Sequence, residues 1–325
     1  MRKWSSLPTM ATMRTRPEHL TDEAIATVVK AHWSIAANTL EYLPIGFGSH
    51  HWVLIERTGR RWFVTGDAVA DSSQRLSGLT AALNTTYALR HDCGLKFVVA
   101  PQAGIDGTLL SITGRYAIAL YPYLDRLSDA TADPQQIISM IIALHATTSD
   151  IGDLTPIDDL RICGRPALEA MLADAGTHGD GPYAAAFADL VRRHRTKICE
   201  SFTWYDAMAA SLGEEQQRWV ITHGEPKADD TLITASGPVL LDWDTVQLAP
   251  PARDIWMTES VDHYCAVTGR QVPAEQLEFY RLRWDLDDLC SFGSWFAGPH
   301  RPTADTELGW RCSVEICWRL ARMTS

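Results

Sequence analysis

Strand-forming sequence is crowded into the first third of this chain, and from Asp133 it gives way to helix with one short interruption. Trp52–Ile55 and Trp62–Thr65 are β-rich runs on either side of Arg57-Thr-Gly-Arg-Arg61, which predicts a hairpin about a glycine-containing turn. Thr21 ahead of Asp22 and Glu23 predicts a capped helix over 24–32, with Ile25, Val28 and Val29 on its apolar side. Leu43–Ile55 reads as extended sequence interrupted by Gly46 and Gly48. Leu76–Arg90 reads as helix, and Phe97–Ala100 and Tyr116–Tyr121 read as strands. Asp133-Pro134 is a helix start, and Ile137, Ile138, Ile141, Ile142 and His145 give that helix a broad apolar face. Pro166–Ala175 and Pro182–Leu212 continue the helical pattern. Two short strands are expected at Trp219–Thr222 and Pro238–Leu241, paired as a hairpin, and helix from Arg253 onward. This order predicts an α+β chain with a sheet-rich lobe over residues 1–120, a hinge over 121–125 and a helical lobe over 126–325.

Composition narrows the function classes. A length of 325 residues suits two lobes better than one compact core. Hydrophobic residues make up 46% and charged residues 21%, the profile of a globular protein. No apolar run reads as a membrane span, and the first twenty residues carry four basic side chains without an apolar signal core. Met10 and Met13 are alternative starts, so nothing functional is read from this tail. The seven cysteines are odd in number and scattered, with no CxxC pair, which argues against a disulfide framework or zinc site and for a reducing, cytoplasmic setting. A net charge of −11 makes nucleic acid and anionic membranes poor partners. It is compatible with a cationic small-molecule substrate, although solubility alone explains an acidic chain equally well.

The chemistry concentrates in two acidic stretches that each follow an apolar run. Val220-Ile221 leads into His223-Gly-Glu225-Pro-Lys227-Ala-Asp-Asp230, and Val239–Leu241 leads into Asp242-Trp-Asp244. Carboxylates that converge at strand ends suit magnesium, a hard cation that prefers oxygen ligands. A further carboxylate can orient an attacking hydroxyl. Either stretch alone reads equally as an acidic surface turn, since aspartate is a common turn residue.

Taken together, and with Pro251-Ala-Arg-Asp254-Ile downstream, these stretches resemble the aminoglycoside phosphotransferase family, in particular its spectinomycin-kinase-type branch. The resemblance runs by element order from Leu40 to Trp318 and is most specific over Thr222–Trp256. It implies a two-lobed protein-kinase-like fold and transfer of the γ-phosphoryl of ATP or GTP, with Mg2+, to a hydroxyl of an antibiotic of the aminoglycoside or aminocyclitol kind. The family's catalytic loop reads His-Gly-Asp, so Glu225 takes the position of the aspartate that orients the substrate hydroxyl. The resemblance further implies that Lys227 neutralises charge on the moving phosphoryl and that Asp230 and Asp242 hold the metal. Asp254 would brace the catalytic loop, and His223 would be structural. Gly46, Gly48 and Ser49 resemble a phosphate-covering loop, and the backbone at Tyr121 and Tyr123 would meet the nucleotide base. The implied substrate carboxylates are Asp262, Asp285 and Asp288 of the helical lobe, with Asp285 foremost because it borders the apolar face of a helix over Phe279–Cys290.

Two departures stand out. The chain has five lysines among its 29 basic residues, and Thr65 occupies the place where the family carries the phosphate-gripping lysine of the third strand. The helix at Leu76–Arg90 has no glutamate to pair with such a lysine, so both partners are missing together. Arg75 and Arg90 are the substitutes that sequence offers. The departures keep a nucleotide-binding pseudokinase as an alternative reading, beside a kinase of a small metabolite such as choline or homoserine.

Overall fold

The computed structural model describes residues 15–17, 19–45, 48–69, 73–173 and 179–322. Its internal contacts form two compact units. One takes the chain through Ile157 and resumes over Val220–Arg270; the other comprises Asp158–Trp219 and the chain from Gln271 onward.

The first unit is built on five antiparallel strands: β1 (Ala37–Leu43), β2 (His50–Glu56), β3 (Arg61–Ala68), β4 (Leu110–Thr113) and β5 (Tyr116–Pro122), in spatial order β1-β2-β3-β5-β4. Side chains alternate across the sheet, and each face finds a different cover. Trp52, Leu54, Trp62, Val64, Ile118 and Leu120 pack on Ile25, Val29 and Trp33 of helix α1 (Asp22–Trp33). Full burial of an aliphatic side chain in such a layer is worth roughly 1.5–3 kcal/mol. The two indoles on this face keep their polar ends satisfied: Trp52 Nε1 donates to Asp22 Oδ1 at 3.1 Å and Trp62 Nε1 to Glu56 Oε1 at 2.6 Å. On the opposite face Leu83 of helix α2 (Ser73–His91) packs with Leu109 and Ala119, beside Leu79 and Tyr121. The alternation also separates the two neighbouring histidines. His50 lies with Tyr42 and Trp52, whereas His51 stacks on Phe63 with ring centroids 5.1 Å apart.

The expected hairpin over 52–65 and the expected helix over 76–90 are present with longer bounds. The run Phe97–Ala100 is not a strand; it makes one isolated parallel bridge, Val98 to Leu240. The two late strands do not pair with each other as expected. β6 (Val220–Thr222) pairs with β9 (Gln247–Ala249), and β7 (Thr231–Thr234) pairs with β8 (Gly237–Leu240). Both are short antiparallel ladders in the first unit.

Helix α3 (Pro134–Ala146) opens on a capping box. Asp133 accepts from the Gln136 backbone at 2.8 Å, and Gln136 returns its Oε1 to the Asp133 N–H at 3.0 Å. Among the described residues one stretch, Pro134–Leu154, has the length and apolar composition of a membrane span, contrary to the sequence expectation. Ile137, Ile138, Met140, Ile141 and Leu144 are buried within the protein, as in the core helix of a globular unit.

The second unit is helical. Its members are Arg165–Leu172, Ala184–Arg193, Arg195–Gly213, Ala274–Ala297 and Ala304–Arg322. The expected continuous helix over 182–212 breaks at His194, which leaves the helical φ/ψ region. Tyr205 stacks on Phe279 at 4.6 Å and Phe187 meets Phe296 at 5.3 Å, tying the earlier helices to the 24-residue helix Ala274–Ala297.

Candidate active site

β6 ends at Thr222 and delivers His223 into a fully buried position. Its ring links two segments. Nε2–H donates to the Leu241 carbonyl at 2.7 Å, and Nδ1 accepts from the Glu225 N–H at 3.2 Å. These partners require the neutral tautomer protonated on Nε2. Burial holds the His223 pKa below its usual value, although Asp254 and the Leu241 carbonyl pull the other way.

Asp254 fastens the same loop from the opposite side. Its Oδ2 accepts from His223 N–H at 3.0 Å and its Oδ1 from Gly224 N–H at 2.7 Å. Oδ2 also accepts from His145 Nε2 at 3.0 Å, and Tyr264 OH lies 2.8 Å from His145 Nδ1. Burial raises the Asp254 pKa, but the hydrogen bond and charge of His145, with His223 and Arg253, outweigh it and hold the carboxyl below its ordinary range. Gly224 sits at φ +105, and an added Cβ there would run into the Arg253 guanidinium and lie 2.8 Å from Thr245 Oγ1. The loop is therefore a backbone clamped at consecutive residues, with glycine required where Arg253 crosses it to reach Thr222 Oγ1 at 2.8 Å and the Thr245 carbonyl at 2.9 Å.

The acidic residues of the two stretches come together in this unit. Lys227 is ion-paired with Glu225, and its Nζ lies 3.5 Å from Asp230 Oδ2. Asp230 is 5% exposed, and its Oδ2 has no hydrogen-bond partner. Burial pushes the Asp230 carboxyl up to about 6 against the opposing charge of Lys227, and Asp242 adds to the rise. Asp242 stands at φ +64, in the left-handed region that a side chain adopts at a cost. Asp244 keeps surface access to water, yet protein crowds around it. That crowding, together with Asp242 and Asp67, raises its carboxyl well above the ordinary range.

A buried carboxylate oxygen with no hydrogen bond, held only by the ion pair with Lys227 and near a second acid on a strained backbone, has the donor chemistry of a hard divalent cation. Among the described residues no three His, Cys, Asp or Glu side chains form a ready-made metal cage. Magnesium fits this set, because it keeps most of its water and takes one or two carboxylates plus phosphate oxygens.

The nucleotide-side expectations fall on the sheet of the same unit. Gly46 lies outside the described residues. Gly48 has φ +96, and the Ser49 hydroxyl donates to Asp67. Asp67 was not singled out from sequence. It follows Thr65 by two positions on β3 and shares its face, which is the pattern that would have found it. Burial raises its carboxyl, with the Ser49 hydroxyl opposing. Thr65 pairs with His51 across β2 and Ala119 across β5, and no lysine stands at this register. Tyr121 opposes Phe63 on the same face, and the Tyr123 N–H reaches the Arg61 carbonyl at 3.4 Å.

The expected substrate carboxylates do not share one unit. Asp262 is exposed on the helix Val261–Thr268 of the first unit, whereas Asp285 and Asp288 lie in the second. Asp285 is 7% exposed and accepts from Arg319 Nε at 3.1 Å through both oxygens, with a further bond from Nη2. Helical periodicity identified its border position but could not reveal a partner 34 residues away. A cavity of about 530 Å³ in the second unit is lined by Asp158, Arg165, Tyr205 and Trp219 among others, and by none of the candidate residues.

With this geometry in view, comparison with known proteins identifies the family. Residues 18–289 match the model of the phosphotransferase enzyme family, APH. Protein StrN of Streptomyces griseus is 28% identical over 288 residues, which cover 83% of this chain and 84% of StrN. Among solved structures, spectinomycin phosphotransferase in complex with ADP and spectinomycin aligns with a TM-score of 0.67 at 14% identity, covering 94% of this chain and 100% of that one. The AMP-bound complex of the same enzyme gives 0.66 at 14% identity over 93% and 99%. The chain belongs to the APH phosphotransferase enzyme family and is a phosphotransferase of kinase-like α+β fold.

Proposed function

We propose that the chain moves the γ-phosphoryl group of ATP or GTP to a hydroxyl of a small cationic molecule, an antibiotic of the aminoglycoside or aminocyclitol kind. The observation that carries this reading is the catalytic loop itself. Asp254 and His223 fix the backbone on which Glu225 and Lys227 stand, beside a buried oxygen of Asp230 that makes no hydrogen bond. The spectinomycin phosphotransferase complex supports the nucleotide and the substrate class, since that neighbour holds ADP and spectinomycin.

In this reading Glu225 orients the substrate hydroxyl and takes its proton as the hydroxyl oxygen bonds to the γ-phosphorus. The bond to the leaving β-phosphate oxygen breaks, and the proton passes to water. Lys227 balances charge on the phosphoryl oxygens as it moves. Such reactions depend chiefly on positioning and fixed charge, because the transition state is loose. Asp230 and Asp242 are the residues that would hold magnesium, which when bound neutralises phosphate charge. Asp262 and Asp288 remain candidates for substrate amines, while Asp285 is occupied by Arg319.

The test is a phosphorylation screen of aminoglycosides, aminocyclitols and small amino alcohols with ATP and GTP, with and without magnesium, read by mass spectrometry. Asp242→Asn is expected to bind nucleotide without the magnesium-dependent part of the affinity. Magnesium dependence unchanged by calorimetry would remove Asp242 from the metal set. Thr65 in the lysine position favours a second reading, a nucleotide-binding protein without transfer. Nucleotide binding with no phosphorylated product from any compound would support it.

A further inference from the structure

The family's third-strand lysine is absent, and the face of the sheet that would carry it is acidic instead. Asp67 is on that face, and Asp242 and Asp244 act on it electrostatically. A nucleotide brings several negative charges to the same place, and a cation on the sheet would offset them. Among the described lysines none is on the sheet: Lys30 is on α1, Lys96 follows α2, Lys197 is in the second unit, and Lys227 is engaged by Glu225. Arg75 of α2 already serves Asp67 and Asp244.

His51 remains. It is the β2 residue directly opposite Thr65, and β-register places its side chain on the same face. Phe63 stacks against one side of the ring, and His51 Nδ1 lies 2.9 Å from the Ile45 carbonyl. A carbonyl only accepts, so Nδ1 carries the proton and the Nε2 lone pair is left to take another. We propose that His51 replaces the missing lysine as the phosphate-facing cation, taking a proton from water at Nε2 as the nucleotide binds. This inference rests on the nucleotide-dependent reading above and adds to it a residue and a proton.

The surroundings set the direction. Burial holds the His51 pKa below its usual value in the free protein, while the Ile45 carbonyl, Asp67 of β3 and Asp242 beyond β8 oppose that. Tyr121 of β5, Asp244 and Arg75 complete the ionisable groups around this acidic cluster. A polyphosphate placed against the ring adds negative charge and favours the imidazolium. Binding should therefore be tightest at low pH and weaken as pH rises from the pKa of the free protein to the higher pKa in the complex, by up to about tenfold per unit, and level off above it.

The experiment is calorimetry of MgADP binding to the full chain between pH 6.5 and 8.5, in buffers of different ionisation enthalpy. The parent should take up a fraction of a proton per ADP. His51→Gln should lower the net proton uptake by that fraction and weaken ADP by about tenfold or more, the scale of one charge-assisted hydrogen bond, while leaving adenosine affinity and the thermal midpoint near the parent's. Adding Thr65→Lys to His51→Gln should restore ADP affinity without proton uptake, since an ammonium is already charged across this range. Asp230 also titrates near this range and is present in every variant, so only the difference between parent and His51→Gln counts. Proton uptake and affinity unchanged in His51→Gln would overturn the inference and leave the phosphotransfer reading standing. An equal loss of adenosine and ADP would overturn it as well, by showing a packing role. A parent that binds no nucleotide would sink both readings.

Discussion

Glu225→Gln is expected to bind MgATP as the parent does and to transfer phosphate about 10²–10⁴ times more slowly, the usual loss on removing a positioned acid–base group. The amide keeps the size of the side chain and an oxygen that can accept from Lys227, so the loop should stay in place. What disappears is the capacity to take the hydroxyl proton, along with one negative charge. Glu225→Asp separates proton transfer from reach. It restores the family's residue, but the backbone is clamped at His223 and Gly224, so the shorter side chain cannot be carried forward by the loop. Partial activity is the expected result, because misplacement of the reacting groups by about 1 Å can cost 10²-fold. The measurement is the initial rate of product formation on a substrate identified by the screen, with nucleotide affinity taken in parallel. If Glu225→Gln keeps the parental rate, Glu225 is not the base. If both variants lose nucleotide affinity, the ion pair with Lys227 is holding the nucleotide site rather than the substrate hydroxyl.

The parts of this arrangement that are legible in the sequence are those whose determinants are local. The helix over 76–90 and the hairpin about Gly59 follow from runs and turns of a few residues, and the acids at 225, 230 and 242 follow apolar runs that end in the same unit. The bracing role implied for Asp254 has the same character, since the loop residues it holds belong to one motif. The pairing of the late strands was not local. Gln247–Ala249 is three residues long and carries little strand signal, yet it is the partner of β6. Phe97–Ala100 carries a strong strand signal and makes a single bridge, because an apolar run of four is needed equally for plain burial. The partner of Asp285 and the place of Asp67 are hidden from the sequence for a shared reason. A carboxylate near an apolar face looks the same in sequence whether it waits for a ligand or already has Arg319 or Ser49 against it. The pairing of His51 with Thr65 became visible only once the hairpin register was known.

Asp254→Ala is expected to cost the most stability of any single change at the site. Asp254 and His223 are fully buried, and the carboxylate serves three donors: the His223 N–H, the Gly224 N–H and His145 Nε2. Alanine leaves all three without an acceptor in a place water does not reach. Each orphaned buried donor costs about 1–3 kcal/mol, and breaking a buried charged pair from one side costs roughly 3–5 kcal/mol. That loss is a large part of an ordinary domain's stability, so low yield or a fall in the thermal midpoint of many degrees is expected. Asp254→Asn distinguishes the charge from the shape. Its oxygen can still accept, but its NH2 must face either the Gly224 N–H or both the His223 N–H and His145 Nε2, so donor faces donor at one bond at least. An intermediate loss of stability should follow, with transfer reduced at temperatures where the variant is folded, because His223 and Gly224 hold the backbone of Glu225, the proposed base. The same network sets the acid limit. The folded-state pKa of His223 is depressed, so the folded protein refuses a proton that the unfolded chain accepts below about pH 6.5, and stability falls as pH drops below that value. The Asp254 carboxyl is depressed as well; its contribution is present above the ordinary aspartate pKa of about 3.9 and is lost as pH falls through its lower folded value. Over the same range the raised carboxyls of Asp230, Asp67 and Asp244 take up protons in the folded protein and oppose this loss, so the His223 contribution is read as a difference: in denaturant unfolding from pH 8 to 4 the parent should lose up to about 1.4 kcal/mol per unit below about pH 6.5 relative to a variant without the imidazole. A His223→Asn variant, whose amide can span some of the same partners without titrating, should lose that first slope. If parent and variant change in parallel between pH 6.5 and 5, the proton is being taken up elsewhere and His223 does not set the acid limit of this loop.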